Sequence, residues 1–207
     1  MAAARARGRD AAALAVARFL DELLPPAARR SPDLRDTPAR VADAFRRDLL
    51  DGYRRDPARL LSGGMPHRGR DLVVVTDIDF HSVCPHHLLP YRGVAHVAYV
   101  PGGRVVGFGA LVQLLDCFAH RLVIEEALAR EVAEALVRHL GARGAACSLH
   151  AEQLCLTVRG ERRRSARAHA QAFAGAMEDD RRLQGRVLAL FASASRGGAR
   201  RGREKRP

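Results

Sequence analysis

Alanine occupies every second position from Ala166 to Ala176, and this strict alternation constrains the fold more than any other feature of the chain. Composition alone favours a helix, because alanine has the highest helix propensity. A repeat of two residues, however, places every alanine on one face of an extended chain and the larger side chains on the other. We therefore predict a strand over residues 166–177 with a crowded face of small side chains.

The rest of the chain alternates between helical and extended patterns. Apolar residues at helical spacing, proline stops and N-cap residues predict the helices, and runs rich in valine and isoleucine predict the strands. The predicted helices are 11–24, 37–50, 110–119, 124–140 and 179–192, and the predicted strands are 71–80, 93–100, 104–108, 145–158 and 166–177, with a loop over 52–69. This order predicts an α+β fold with an antiparallel sheet.

The net charge of +12 is concentrated at the two ends of the chain. Residues 196–207 carry a net charge of +5 and residues 1–9 carry +3, which leaves +4 for residues 10–195. The arginines of the carboxyl-terminal segment are not interleaved with aromatic residues, as they are in many surfaces that bind single-stranded nucleic acid. We therefore expect a solvated, disordered basic tail over 193–207 and no nucleic-acid partner.

Several protein classes are excluded by composition. The sequence has no run of about 20 apolar residues, which a membrane-spanning helix requires, and no apolar signal core follows its first residues. Four cysteines in 207 residues are too few for a disulfide framework, so we expect a cytoplasmic protein with no membrane partner. Two of these cysteines, Cys117 and Cys147, lie among apolar neighbours and are predicted to belong to the core.

The densest group of chemically reactive residues is the sequence Cys84-Pro85-His86-His87. Thiolate and imidazole are the ligands that zinc prefers, and Cys155 is a natural third ligand. Three protein ligands leave one position for water, as in catalytic zinc sites, and His86 would then lie where it could transfer protons. The spacing leaves a second interpretation open, in which the cysteines only pack and the histidines only cap a turn.

The chain resembles the GTP cyclohydrolase I family over roughly residues 36–191. The matching segments are 36–42, 77–93, 95–101, 118–121, 125–126 and 159–160. The resemblance implies the tunnelling fold, an antiparallel four-stranded sheet with two inserted helices, preceded here by N-terminal helices. It also implies a homo-oligomer, a toroidal decamer with active sites between subunits. The implied divisions are an N-terminal helical extension over 1–35, a cyclohydrolase-like domain over 36–192 and the tail over 193–207.

The resemblance also implies a reaction and the residues that carry it. Zn²⁺ would activate the water that attacks C8 of a guanine ring, which opens the imidazole ring and releases formate before a dihydropterin forms. The implied zinc ligands are Cys84, His87 and Cys155. The implied proton-transfer residue is His86, the implied guanine-holding carboxylate is Glu126, and the implied phosphate-binding arginines are Arg159 and Arg40. For Glu126, an ordinary exposed position in the first helical turn remains the alternative.

The chain departs from the family pattern at positions that concern chemistry. Gln153 occupies the position of a second catalytic histidine, and an amide cannot carry a proton at neutral pH. Ala110 and Gln113 replace two cations of the phosphate site. The arginines at 162, 163, 164 and 167 either compensate for this loss or form a solvated run, and the sequence leaves both open.

We therefore expect a zinc hydrolase that acts at C8 of GTP, of a less phosphorylated guanine compound, or of a related purine or pterin. The loss of a histidine at Gln153 predicts that the reaction stops after ring opening. In a second hypothesis the full reaction is retained, with Gln153, water or His86 covering the proton transfer. In a third, the protein is a catalytically silent homologue that binds a ligand or regulates a partner.

Overall fold

The computed structural model describes residues 10–160 and 162–203, the last nine of these by their backbone alone. The helices are α1 (Ala11–Leu23), α2 (Pro26–Arg29), α3 (Thr37–Ala44), α4 (Pro57–Leu61), α5 (Phe108–Ala119), α6 (Glu125–Ala135), α7 (Leu154–Thr157) and α8 (Arg181–Arg203). The main strands are β1 (Val73–Val83), β2 (Pro90–Val100), β3 (Gly144–Gln153) and β4 (Ala168–Gly175). A two-residue ladder pairs Met65–Pro66 with Arg104–Val105, and wider helical turns continue α3 over Phe45–Leu49 and α6 over Leu136–Leu140.

Residues 10–51 form one compact unit, and the described residues from Gly52 onward form another. In the first unit, α1 packs against α3. Asp10 caps α1 by accepting a hydrogen bond from the N–H of Ala12, and Arg46 donates to both carboxylate oxygens of Asp10 at 2.7 and 2.9 Å. The division of a 1–35 extension from a 36–192 domain stays a prediction.

The second unit is built on a four-stranded sheet in the order β1-β2-β3-β4, and every neighbouring pair is antiparallel. Helices α5 and α6 are inserted between β2 and β3, as the predicted tunnelling fold requires. The α+β fold class is confirmed. In the third pair of strands, His150 lies opposite His169 and Ala151 opposite Ala168.

The two faces of the sheet carry different cores because side chains alternate along each strand. The odd-numbered residues of β3 from Ala145 to Ala151 join the buried apolar residues of α5 and α6. On the other face, Ala146 packs with Val187 and Phe191 of α8. The side of the sheet that a residue of β3 faces is therefore set by whether its number is odd or even.

The strand predicted from alternating alanines is confirmed as β4, and Ala170, Ala172 and Ala174 are buried. The predicted strand over 145–158 was too long, because β3 ends at Gln153 and residues 154–157 form α7. Gln153 pairs with Tyr91, the second residue of β2. The first residue of β2, immediately before Tyr91, is Pro90. Proline has no N–H to continue the ladder, so the strand pairing stops there.

Two other predicted segments differ in the structure. The predicted loop over 52–69 contains α4 and the short strand at Met65–Pro66. The last helix continues to Arg203, so that the segment 193–203, predicted to be part of a disordered tail, is helical. Residues 204–207 and the basic residues of 1–9 lie outside the described part of the chain. None of the helices in the described part is both long and apolar enough to cross a membrane.

Candidate metal centre and active site

The tight turn between β1 and β2 brings the first candidate ligands together. The backbone N–H of Cys84 donates a hydrogen bond to the carbonyl of Leu89, and the carbonyl of Cys84 accepts one from the N–H of Leu88, both at 2.9 Å. Leu88 closes this turn with a positive φ of 54°, a conformation that is uncommon for a residue with a side chain. The result is that Nδ1 of His87 lies 3.8 Å from Sγ of Cys84.

Cys155 completes a group of three possible metal ligands. It lies in α7, two residues past the end of β3, and not on a strand as the sequence predicted. The ligand atoms of Cys84, His87 and Cys155 all lie within 4.8 Å of one another. Both cysteines are free thiols. The structure therefore brings together the three residues that the sequence singled out from segments about 70 residues apart.

The donor atoms of this group suit a soft divalent cation. Burial and the neighbouring Cys84 raise the pKa of the Cys155 thiol, which favours its neutral form. A bound cation would reverse that balance and favour the thiolates. Two sulfurs and one imidazole nitrogen are a ligand set that zinc accepts, with one further position for another ligand. The residues present fit the ion that the family resemblance implies.

Arg159 contacts the opposite side of the His87 ring, where its Nη1 lies 2.7 Å from Nε2. A guanidinium only donates, so Nε2 accepts and the neutral ring carries its proton on Nδ1, towards Cys84. Metal binding through Nδ1 would move that proton to Nε2 and end the contact with Arg159. Arg159 is exposed.

His86 lies beside the same group. Its Nδ1 is 3.9 Å from Sγ of Cys84, its ring centre is 6.2 Å from that of His87, and its side chain is exposed. The structure therefore places His86 within reach of the candidate metal ligands and open to a ligand from solvent. Its part in proton transfer stays a prediction.

Gln153 has a partner that sequence reasoning missed. Its Nε2 donates a 2.8 Å hydrogen bond to Oε2 of Glu125, and its Oε1 lies 4.0 Å from Sγ of Cys155. Glu125 is only 3% exposed, and its Oε1 has no hydrogen-bond partner among the described residues. Glu125 lies in the matching pair 125–126, but the resemblance implied no role for it. The signal that could have revealed it is the helical spacing from Glu125 to the buried residues Leu128, Ala129 and Val132.

Comparison with known proteins identifies the family to which this chain belongs. A sequence model of GTP cyclohydrolase I matches residues 15–192. A GTP cyclohydrolase 1 of Ralstonia nicotianae is 49% identical over 144 residues, covering 70% of this chain and 69% of the relative. One of Chromobacterium violaceum is 45% identical over 152 residues, covering 73% and 74%. The chain belongs to the GTP cyclohydrolase I family. Among solved structures, the apo form of an archaeosine synthase QueF-like protein aligns with 52% of this chain and 97% of its own at a TM-score of 0.43 and 18% identity.

The carboxylate that the GTP cyclohydrolase I resemblance assigns to guanine, Glu126, is exposed in the first turn of α6. Tyr91 lies behind it and donates its hydroxyl to the carbonyl of Val123 at 2.9 Å. Burial raises the pKa of Tyr91, and the charges of Glu125, Cys84 and Glu126 add to this shift. Tyr91, Glu125, Glu126 and Cys84 therefore lie close to one another, so the start of α6 is near the metal ligand Cys84.

Arg40 and Arg167, two arginines considered for phosphate binding, each have contacts within their own segment of the chain. Arg40 belongs to the other compact unit, where it pairs with Asp36 at 3.6 Å, and its role stays a prediction. Ala110 and Gln113 both lie in α5. Arg167 donates to the carbonyls of Arg164 and Ala166, so its guanidinium is bonded to its own loop.

Proposed function

We propose that this protein is a zinc-dependent hydrolase that opens the imidazole ring of a guanine nucleotide at C8 and releases formate. The observation that carries the proposal is the convergence of Cys84, His87 and Cys155 on one point. The names of the related proteins support GTP as the first substrate to test. When bound, zinc would supply the activation of water that attack on C8 requires.

The residues around the metal ligands would bind and orient the substrate. Glu126 would accept hydrogen bonds from the N–H edge of guanine, because a carboxylate offers only acceptors to those donors. Arg159 would bind a phosphate with its forked donors once His87 no longer accepts from it. His86 would move a proton at the exposed edge of the site.

The substrate is proposed to be GTP or a guanine compound with fewer phosphates. Ala110 and Gln113 supply no positive charge, and Arg167 is engaged by its own loop. Each lost charge-assisted contact typically removes about 1.5–3 kcal/mol of binding. A site with fewer cations therefore discriminates less strongly in favour of the triphosphate.

The active unit is proposed to be a homo-oligomer. Three exposed apolar side chains each flank a site residue: Leu88 follows His87, Ile124 precedes Glu125 and Val158 precedes Arg159, and they are 52%, 42% and 59% exposed. A second copy of the chain would cover these side chains and enclose the site. The decameric count and the cytoplasmic location stay predictions from the sequence.

Metal analysis tests the first part of the proposal. We expect the purified full chain to hold about one zinc ion, and C84S and C155S to lose it, because each removes a thiolate ligand. C147A is the control, since Cys147 is also a free cysteine but is buried in the core. A wild-type protein that binds no zinc after metal loading would overturn the proposal.

Substrate tests separate the possible reactions. The zinc-loaded chain is incubated with GTP, GMP, guanosine and guanine, and formate release and pterin fluorescence are followed. Formate with a dihydropterin supports the full family reaction, and formate or ring opening without a pterin supports a reaction that stops early. Binding without turnover of any of the four compounds supports the silent homologue, which Gln153 in place of a histidine favours.

A further inference from the structure

We propose that Glu125 is the acid that protonates the departing ring nitrogen during ring opening, the role that Gln153 cannot perform. This inference rests on the proposed function. It assigns a catalytic role to a residue that lies in the matching pair 125–126 but for which the resemblance implied no role.

The position of Glu125 supports this role. The residue begins α6 on the buried face of the helix and points towards β3, where its Oε2 accepts the 2.8 Å hydrogen bond from Gln153. The other end of the same amide lies 4.0 Å from Sγ of Cys155. One amide group therefore separates the carboxyl group from the candidate metal ligands.

The second oxygen of Glu125 has an unmet capacity to accept a hydrogen bond. Oε1 is buried and has no hydrogen-bond partner among the described residues. An unpaired polar atom in such a place is costly, and the cost is much larger for a charged group than for a neutral one. A substrate nitrogen that binds at Oε1 would remove this cost, and a proton on the carboxyl group lowers it before the substrate arrives.

The surroundings of Glu125 favour that proton. Burial raises the pKa of the Glu125 carboxyl, and the nearby charge of Glu126 adds to the shift. The hydrogen bond from Gln153, the charge of His169 and the backbone N–H of Ala170 act in the opposite direction. The net effect is a carboxylic acid that keeps its proton at a higher pH than an ordinary glutamate, as a general acid must.

The atoms and protons of the ring-opening step balance. Water adds its oxygen and one hydrogen to C8. The bond between C8 and one of its two ring nitrogens breaks, and that nitrogen receives the proton of Glu125. The carboxylate that remains takes up the second proton of the water. Glu125 thus ends the step in the form in which it began, and no further reactant is needed.

Other histidines near this region are less well placed. His86 is exposed in the turn between β1 and β2. His150 faces the opposite side of the sheet, where its ring lies 4.3 Å from that of His169 and 5.4 Å from that of His96. The family histidine is therefore replaced from α6, and not by a neighbour on β3.

The test compares E125Q with a matched control from the same helix. E125Q keeps the size of the side chain and an acceptor for Gln153, but it has no acidic proton. We expect its kcat for ring opening to fall roughly 100-fold or more, the usual share of a positioned acid, with unchanged zinc content and little change in KM. E131Q is the control, because Glu131 is a partly buried carboxyl of α6 whose pKa burial also raises.

Two further measurements test whether Glu125 acts through its proton. E125Q/Q153H restores a titratable group and should recover much of the lost kcat. An infrared pH titration should show, in the wild type and in E131Q, a component of the protonated carboxyl band that persists to a higher pH than for ordinary glutamates, and E125Q should lack this component. An E125Q enzyme with wild-type kcat, or a wild type without that component, contradicts the role of Glu125. A wild type that turns over no guanine compound contradicts the proposed function itself.

Discussion

Arg159 donates a hydrogen bond to His87 at the ring nitrogen that faces away from Cys84. If the arginine then binds phosphate, R159A should raise KM for GTP about 10-fold or more, because a charge-assisted hydrogen bond is typically worth about 1.5–3 kcal/mol. Steady-state kinetics and metal analysis check this, and zinc content should not fall. R138A, which removes an exposed arginine paired with Glu134, is the control. An unchanged KM would remove Arg159 from the phosphate site.

At the residue scale, the sequence predicted the site residues that can be recognised by their type, and it missed one whose role depends on packing. Cys84, His87 and Cys155 could be selected because few side chains bind zinc. Glu125 was missed because the burial of its carboxyl group depends on how α6 lies against β3. The hydrogen bond to Gln153 joins residues 28 positions apart, and no local pattern specifies it.

At the scale of elements, Gly93 allows β2 and β3 to approach. A Cβ atom at this position would lie 2.0 Å from the carbonyl oxygen of His150. We expect G93A to destabilise the fold by roughly 1–3 kcal/mol, the usual cost of an atom that must be accommodated by backbone shifts. G109A is the control, since a Cβ there meets nothing within 4 Å and alanine favours the helix α5. Urea unfolding of both variants measures the difference, and equal stabilities would contradict it.

The face of the sheet towards α8 should make stability depend on pH. Burial lowers the pKa of both His96 and His150. The neighbouring rings of His169 and His96 lower the pKa of His150 further, while Asp77 opposes the shift at His96. The unfolded chain therefore binds protons more readily, so stability is complete above about pH 6.5 and is lost as the pH falls below it.

The substitution H150Q should reduce this loss. We expect the Tm of the wild type to fall more steeply between pH 7 and pH 5 than that of H150Q, as followed by circular dichroism. H139Q, at the end of the helical turn after α6, should behave like the wild type. Parallel curves for the wild type and H150Q would show that His150 does not contribute.

Strands β4 and β3 show why some boundaries of helices and strands could be predicted from the sequence and others could not. The alternation of alanines overrode helix propensity and correctly predicted β4, because only a strand separates such residues onto two faces. The end of β3 at Gln153 was missed, because it is set by Pro90 on a strand more than 60 residues earlier in the chain. The position of Cys155 in α7 follows from this long-range effect.

At the scale of the whole molecule, the exposed apolar side chains beside the site predict self-association. V158D should dissociate the oligomer and lower activity, because it places a charge where a second copy would pack. M65D is the control, since Met65 is 60% exposed but lies in the short ladder and away from the site residues. Size-exclusion chromatography with light scattering distinguishes the two. A wild-type monomer with full activity would contradict the prediction.

The ending of β3 at Gln153, immediately before the helix that carries Cys155, restricts how this site can evolve. Inserting or deleting one residue within β3 would reverse which side chains face α6 and would turn Gln153 away from Glu125. Exchanges of single amino acids at 125 and 153 leave the strand pairing intact. A lineage can therefore change its proton chemistry here by point substitution, whereas changes in chain length must fall in loops outside the strand.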